Sequence, residues 1–113
     1  MKEIKIPESI REDKNLADSV NRASKLLAAQ APPSGALTTA EWRLHFDVRQ
    51  RPIIDLSLRD WIGDAATSFT PSDLANDRFM ESRLIRLWGD LLQDRSHKQI
   101  SQFAQPSTES EGS

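Results

Sequence analysis

The side chains of this chain that could carry acid–base or metal chemistry are two histidines and several aspartates. His45, Asp47 and Asp55 lie within about ten residues of one another, and His97 lies much further along the chain. A metal site would need carboxylates to join the histidines, and neither histidine has a neighbour at a recognised ligand spacing. Asp47 and Asp55 could act as a catalytic pair, but catalytic pairs need a cleft, so we interpret them as solvated charges.

Other catalytic signatures are missing from the sequence as well. With four glycines it contains no glycine-rich loop, no serine lies in a nucleophile elbow, and without cysteine it has neither disulfides nor thiolate metal ligands. We therefore predict no catalytic residues, no cofactor and no metal, and a protein that is not an enzyme. A deep cleft lined by His45, Asp47 and Asp55 would reverse this prediction.

The elements that must position these residues begin with a β-hairpin over residues 41–62. Apolar and charged residues alternate strictly in two runs, a pattern typical of half-buried strands. The apolar members are Trp42, Leu44, Phe46 and Val48 in the first run, and Ile54, Leu56 and Leu58 after Pro52. One hairpin face is therefore apolar and the other is charged.

Two registers keep the apolar residues of the hairpin on one face. Pairing Val48 with Ile54 sets Asp47 opposite Asp55, and like charges directly opposite are unfavourable. Sliding the strands by two residues pairs Arg49 with Asp55 instead, and His45 with Arg59. We favour the second register.

Helices are predicted on both sides of this hairpin. Ser9 and Glu12 fit a capping box that starts a helix of about residues 9–30, and Pro32, Pro33 and Gly35 mark a linker over 31–39. Ile4 and Ile6 favour a short strand before the helix. Residues 63–69 are predicted to form a loop.

The C-terminal region, about 71–104, is predicted to be helical. Thr70, Pro71 and Asp73 have the spacing of a helix start, and apolar residues then recur at helical intervals. Asn76 and Asp77 leave open whether this region is one helix or two. Trp42 and Trp88 are assigned to the core, and Gly89 within the helix is interpreted as a sign of close packing.

These elements predict an α+β fold in two layers, ordered helix, strand, strand, helix, with a central antiparallel hairpin packed against two amphipathic helices. A single domain is expected over residues 1–105, followed by a disordered tail over 106–113 that is rich in Ser and Glu. No apolar run approaches the length of a membrane span and no signal peptide is recognised, so a cytoplasmic protein without a membrane partner is predicted.

The charged hairpin face is the strongest candidate for binding. By alternation we place Arg43, His45, Arg49, Arg59 and Trp61 on it, and Trp beside Arg is a composition that binding hot spots favour. The alternative is that this face has no binding role, with Trp61 packed under the following loop and the arginines paired with nearby aspartates.

We predict a non-catalytic protein-binding or regulatory module, whose partner is another protein or a second copy of itself bound through an unprotected hairpin edge. The alternative is a nucleic-acid-binding module that uses the Arg-rich face. The net charge of −2, with Asp interleaved among the arginines, makes long-range attraction to nucleic acid weak.

Overall fold

The computed structural model describes the backbone of residues 1–112 and the side chains of residues 1–101. Its elements are β1 (Glu3–Lys5), α1 (Glu8–Arg11), α2 (Lys14–Ala29), a 3-10 turn (Pro33–Gly35), β2 (Thr39–Phe46), β3 (Pro52–Arg59), β4 (Asp64–Phe69), α3 (Pro71–Ala75) and α4 (Asp77–Gly112). The fold is α+β, as predicted. The predicted disordered tail, 106–113, falls outside the residues described in full and stays a prediction.

The strands form one sheet in the order β1-β2-β3-β4. β1 is parallel to β2, while the β2–β3 and β3–β4 pairs are antiparallel. The short N-terminal strand is therefore present. The predicted loop over 63–69 is wrong, because it contains β4, which pairs with β3 from Ile54 opposite Phe69 to Arg59 opposite Asp64.

Both registers proposed for the hairpin are wrong. Arg43 lies opposite Asp55 and Leu44 lies opposite Ile54, so the strands end at Phe46 and Pro52. The turn sets this register, because the Asp47 carboxylate accepts hydrogen bonds from the backbone N–H groups of Arg49 and Arg51 at 2.9 Å each. Gln50 completes the turn with a φ of 63°. Val48, which we expected on the apolar strand face, lies in this turn and is 98% exposed.

The predicted first helix is divided in two. The Asp13 side chain accepts hydrogen bonds from the backbone N–H groups of Asn15 and Leu16, at 3.1 and 3.2 Å, and so caps α2 in place of Ser9. The C-terminal region is also two helices. Thr70 and Asp73 form the predicted capping box of α3, and Asn76 then accepts from the N–H of Phe79 at 3.1 Å at the start of α4.

All the helices that contact the sheet pack on one face of it, with α4 lying against β4 and β3. Trp42 and Trp88 are both buried in this layer, as predicted. The Trp42 indole N–H donates to Ser24 Oγ at 2.9 Å, and the Trp88 indole N–H donates to the carbonyl of Leu27 at 3.0 Å. Each tryptophan thereby joins α2 to another element. The opposite face of the sheet carries no helix among the described residues.

Candidate functional site

The open face of the sheet carries the charged residues that the alternation predicted, in a different arrangement. By register, three cations and four carboxylates share this face, which gives it a charge of −1. They are Lys5, Arg43 and Arg59, and Glu3, Glu41, Asp55 and Asp64. The face of the described strands contains no phenylalanine or tryptophan. It therefore has no positive field to attract nucleic acid and none of the large aromatic rings on which bases stack best.

The five candidate residues do not form one cluster. Arg43 and His45 lie on β2, whereas Arg49 lies in the β2–β3 turn at one end of the sheet. Arg59 ends β3 at the other end, and Trp61 follows it in the β3–β4 turn. The length of an eight-residue strand puts Arg49 about 24 Å from Trp61. One contact surface cannot be centred on both ends of the sheet, so the predicted site divides into separate parts.

Two of the predicted site residues on this face have side-chain partners. Arg43 Nη2 donates to Glu41 Oε1 at 3.3 Å, and His45 belongs to a cluster centred on Asp55. Ser68 Oγ donates to Asp55 Oδ1 at 2.6 Å, and His45 Nε2 lies 3.0 Å from Asp55 Oδ2. A nucleophilic triad needs the histidine between the serine and the carboxylate, so that the imidazole takes the hydroxyl proton. Here the carboxylate is in the middle. The cluster ties β2 to β4 across β3, and it lies in a shallow depression open to solvent.

The other expected acid–base and metal residues are also separated. Asp47 is held by its own turn, where its Oδ1 accepts from the backbone N–H of Arg51 at 2.9 Å and its Oδ2 lies 3.0 Å from Arg51 Nε. The backbone hydrogen bond from Arg51 is the main reason that the pKa of the Asp47 carboxyl lies below its usual range. His97 lies on α4, on a different element from His45. Among the residues described with side chains, no group of three metal-ligating residues is assembled.

Trp61 is presented by a rigid turn and is 82% exposed, so it is neither on the strand face nor under the loop. The Asp60 carboxylate Oδ1 accepts the backbone N–H groups of Ile62 and Gly63, both at 2.8 Å. Its Oδ2 is buried and lies 3.2 Å from Arg95 Nε. The two groups form an ion pair, but the Nε–H is not aligned for a hydrogen bond. A Cβ on Gly63 would lie 2.9 Å from Arg95 Cγ, which leaves no room for a larger residue.

The same turn is fixed to α4 by Asp94. Asp94 Oδ2 accepts from the backbone N–H of Asp64 at 2.8 Å and lies 2.9 Å from Lys98 Nζ. The first of these hydrogen bonds, and then that from Lys98, lower the pKa of the Asp94 carboxyl. Hydrogen bonding to Asp94 in turn raises the pKa of Lys98.

Replacement of Asp94 by asparagine should therefore have a pH-dependent effect. A lowered folded-state pKa means that the carboxylate stabilises the fold above its ordinary pKa, and that this contribution is lost as the pH falls through the lowered value. We expect Asp94→Asn to have a lower urea midpoint than the parent at about pH 7, and the difference between the two midpoints to be smaller at about pH 3, below the ordinary pKa of an aspartate. An equal difference in urea midpoint between parent and variant at both pH values would contradict this prediction.

The outer edge of β4 is a feature that the sequence analysis missed. The backbone N–H of Asp60 donates to the carbonyl of Gly63 at 3.0 Å, which makes these two residues a hydrogen-bonded pair. Because such pairs alternate along an antiparallel ladder, the backbone groups of Asp64, Ala66 and Ser68 point away from β3. Asp94 binds the first of these N–H groups, while those of Ala66 and Ser68 have no bonded partner among the described residues.

A groove of about 230 Å³ runs beside this edge, between β4 and α4. Its walls are Ala66 and Thr67 on one side and Arg83, Arg86, Leu87 and Asp90 on the other. Arg83 is held in place, since its Nη2 donates to Thr67 Oγ1 at 2.5 Å and its guanidinium lies 5.9 Å from the ring centre of Phe69. Arg86 is exposed and forms no ion pair within the described part of the chain.

The groove combines two arginines with one aspartate, and the buried Leu87 lies beneath them. Arg83 uses one of its five N–H donors on Thr67, and the others can bind a carboxylate. Ala65, Thr67 and Phe69 share one face of β4, and this alternation is the sequence signal that could have predicted the strand. Alanine and threonine are small, and Phe69 is the one large apolar residue of the three. The signal was therefore too weak to predict β4 or the groove beside it.

No family model matches this chain, and neither a curated protein nor a solved structure matches it. In the part of the chain that the structure describes, no helix is long and apolar enough to cross a membrane.

Proposed function

We propose that this protein is a protein-binding module that adds an extended, acidic segment of a partner to the outer edge of β4. The observation that carries the proposal is the pair of outward-facing backbone groups at Ala66 and Ser68, next to a groove that contains Arg83 and Arg86. Unpaired strand edges bind peptides by β-augmentation, in which main-chain hydrogen bonds provide affinity and flanking side chains provide specificity.

The proposed binding edge is β4, whereas the sequence predicted a binding edge on the hairpin. The β2–β3 hairpin is flanked by β1 and β4, so its strands are not the outer edges that the sequence analysis assumed. A segment added to β4 would lie about 4.8 Å from it, with alternate side chains directed toward α4. An Asp or Glu at one of those positions would meet the two guanidinium groups.

The proposal can be tested with a heptapeptide library displayed on phage and selected on the immobilised chain. We expect selected peptides to alternate β-branched residues with Asp or Glu. Ala66→Pro removes one outward N–H at a position where an edge strand tolerates proline, so it should weaken the selected peptide about ten- to a hundredfold, measured by fluorescence anisotropy. Arg86→Glu should weaken it at least about tenfold because it reverses the charge at the groove.

Arg49→Glu is the matched control, because Arg49 is an exposed arginine at a distant turn. It should bind the peptide as the parent does. If no peptide is enriched, or if Ala66→Pro binds the enriched peptides normally, the edge is not the binding site. If Arg49→Glu instead abolishes binding, the hairpin face of the original prediction is the better site.

The nucleic-acid alternative remains a prediction that no described contact favours. The charge of −1 on the open face argues against it.

A further inference from the structure

Helix α4 carries two apolar stripes, about 120° apart around its axis. Met80, Leu84, Leu87 and Leu91 form the buried stripe against the sheet. Outside that stripe, Ile85, Leu92 and Ile100 are 55%, 36% and 67% exposed. At about 100° per residue, Ile85 and Leu92 lie about 20° apart around the helix. A helix that packs on a sheet needs one apolar stripe, so the outer one has no function within the described part of the chain.

Gly89 lies between Ile85 and Leu92 on this outer stripe. A Cβ at Gly89 would meet nothing within 4 Å, so no neighbour in the described chain requires a glycine there. Glycine is unfavourable inside a helix. Ser82 and Ser96, which are also exposed, precede and follow it by seven residues. Small residues at this interval let a second helix approach closely.

The charges beside the stripe indicate what that second helix is. Glu81 and Arg86 lie on opposite sides of the stripe, and both are exposed without an ion pair among the described residues. In two parallel copies of α4 related by a two-fold axis, the Glu81 side of one helix faces the Arg86 side of the other. Their separation of five residues is the one at which flanking positions pair across a parallel coiled coil.

In an antiparallel pair centred on Gly89, Glu81 of one copy would lie opposite Arg95 of the other, which is already paired with Asp60. Arg86 would lie opposite the uncharged Gln93. The pairing of Glu81 with Arg86 therefore requires the parallel orientation. The charge pattern is therefore complementary to a second, parallel copy of the same helix.

We propose that the outer face of α4 is a homodimer interface, in which two copies pack in parallel through Ile85, Gly89 and Leu92. Two symmetry-related ion pairs between Glu81 of one copy and Arg86 of the other set the orientation. This surface shares Arg86 with the groove beside β4, whereas Ile85, Gly89 and Leu92 do not line that groove.

Sedimentation equilibrium from about 5 to 200 μM tests the proposal, a range in which micromolar association is measurable. The parent should move from 12.8 kDa toward twice that mass. Ile85→Asp should be monomeric throughout. Gly89→Gln has room in the single chain, so it should fold normally and associate at least about tenfold more weakly. Lys25→Glu, an exposed change on α2, should associate as the parent does.

A charge exchange tests the orientation. Glu81→Arg and Arg86→Glu should each weaken association about fivefold, and the double variant should restore it. The double variant still lacks Arg86, so peptide binding should stay weak while dimerisation returns, which separates the two proposals. A parent that remains at 12.8 kDa, or an Ile85→Asp variant that still dimerises, would overturn the interface. A double variant that stays weak would overturn the parallel arrangement.

Discussion

Trp42→Ala is expected to lower the free energy of unfolding by about 4 kcal/mol. Small domains have total stabilities of about 5–15 kcal/mol, so this single change should remove between about a quarter and most of the stability. Trp42 is fully buried in the centre of β2, with its ring centre 6.3 Å from that of Phe69. Its removal leaves a cavity between α2 and the sheet, and it leaves the Ser24 hydroxyl buried without its partner.

Urea denaturation followed by circular dichroism measures this effect without relying on tryptophan fluorescence. Trp42→Phe keeps most of the volume and loses the hydrogen bond to Ser24, so it should cost about 1–3 kcal/mol. Trp61→Ala is the matched control. Because Trp61 is 82% exposed, its loss should change the stability by no more than about 0.5 kcal/mol. Equal effects at the two tryptophans would show that the assigned core is wrong.

Arg95→Met is expected to cost about 3 kcal/mol, because it leaves a buried carboxylate without its counter-charge. The Asp60 side chain is 3% exposed, and Arg95 Nε lies 3.2 Å from its Oδ2. Arg95 also donates from Nη1 to the carbonyl of Ser34 at 3.2 Å. The same arginine therefore connects α4 to the β3–β4 turn and to the 3-10 turn.

The double variant Asp60→Asn with Arg95→Met separates charge from packing. Asparagine keeps the Oδ1 acceptor that binds the N–H groups of Ile62 and Gly63, and it removes the uncompensated charge. In urea denaturation the double variant should recover about half of the stability lost in Arg95→Met. A double variant less stable than Arg95→Met would show that the lost packing of Arg95, not the charge of Asp60, dominates.

The sequence was a good guide to elements that large apolar residues define. Strict alternation at Trp42 and Leu44 identified β2, and the helical spacing from Met80 to Leu91 identified the buried stripe of α4. The predicted hairpin register was wrong because we chose it by comparing the charges that face each other across the strands. The local hydrogen bonds of Asp47 determine where the turn begins, and the turn sets the register.

The candidate site was less predictable, because it depends on β4. Ala65, Ala66 and Thr67 give the strand little apolar contrast, so its alternation was not visible in the sequence. Without β4, Arg83 and Arg86 were two charges among many on a helix. Their importance comes from a strand edge that β4 forms by pairing with β3, and that pairing cannot be recognised from the residues of α4.

The parallel pairing of β1 with β2 has a consequence for the order in which the sheet assembles. The antiparallel strands are joined by short turns, so β2, β3 and β4 can pair soon after those turns close. Glu3 meets Thr39 only across the whole of α1 and α2. Closing so long a connection for three residues of pairing is unfavourable until α2 has packed on the sheet. The first strand in the chain is therefore expected to be the last to join the sheet.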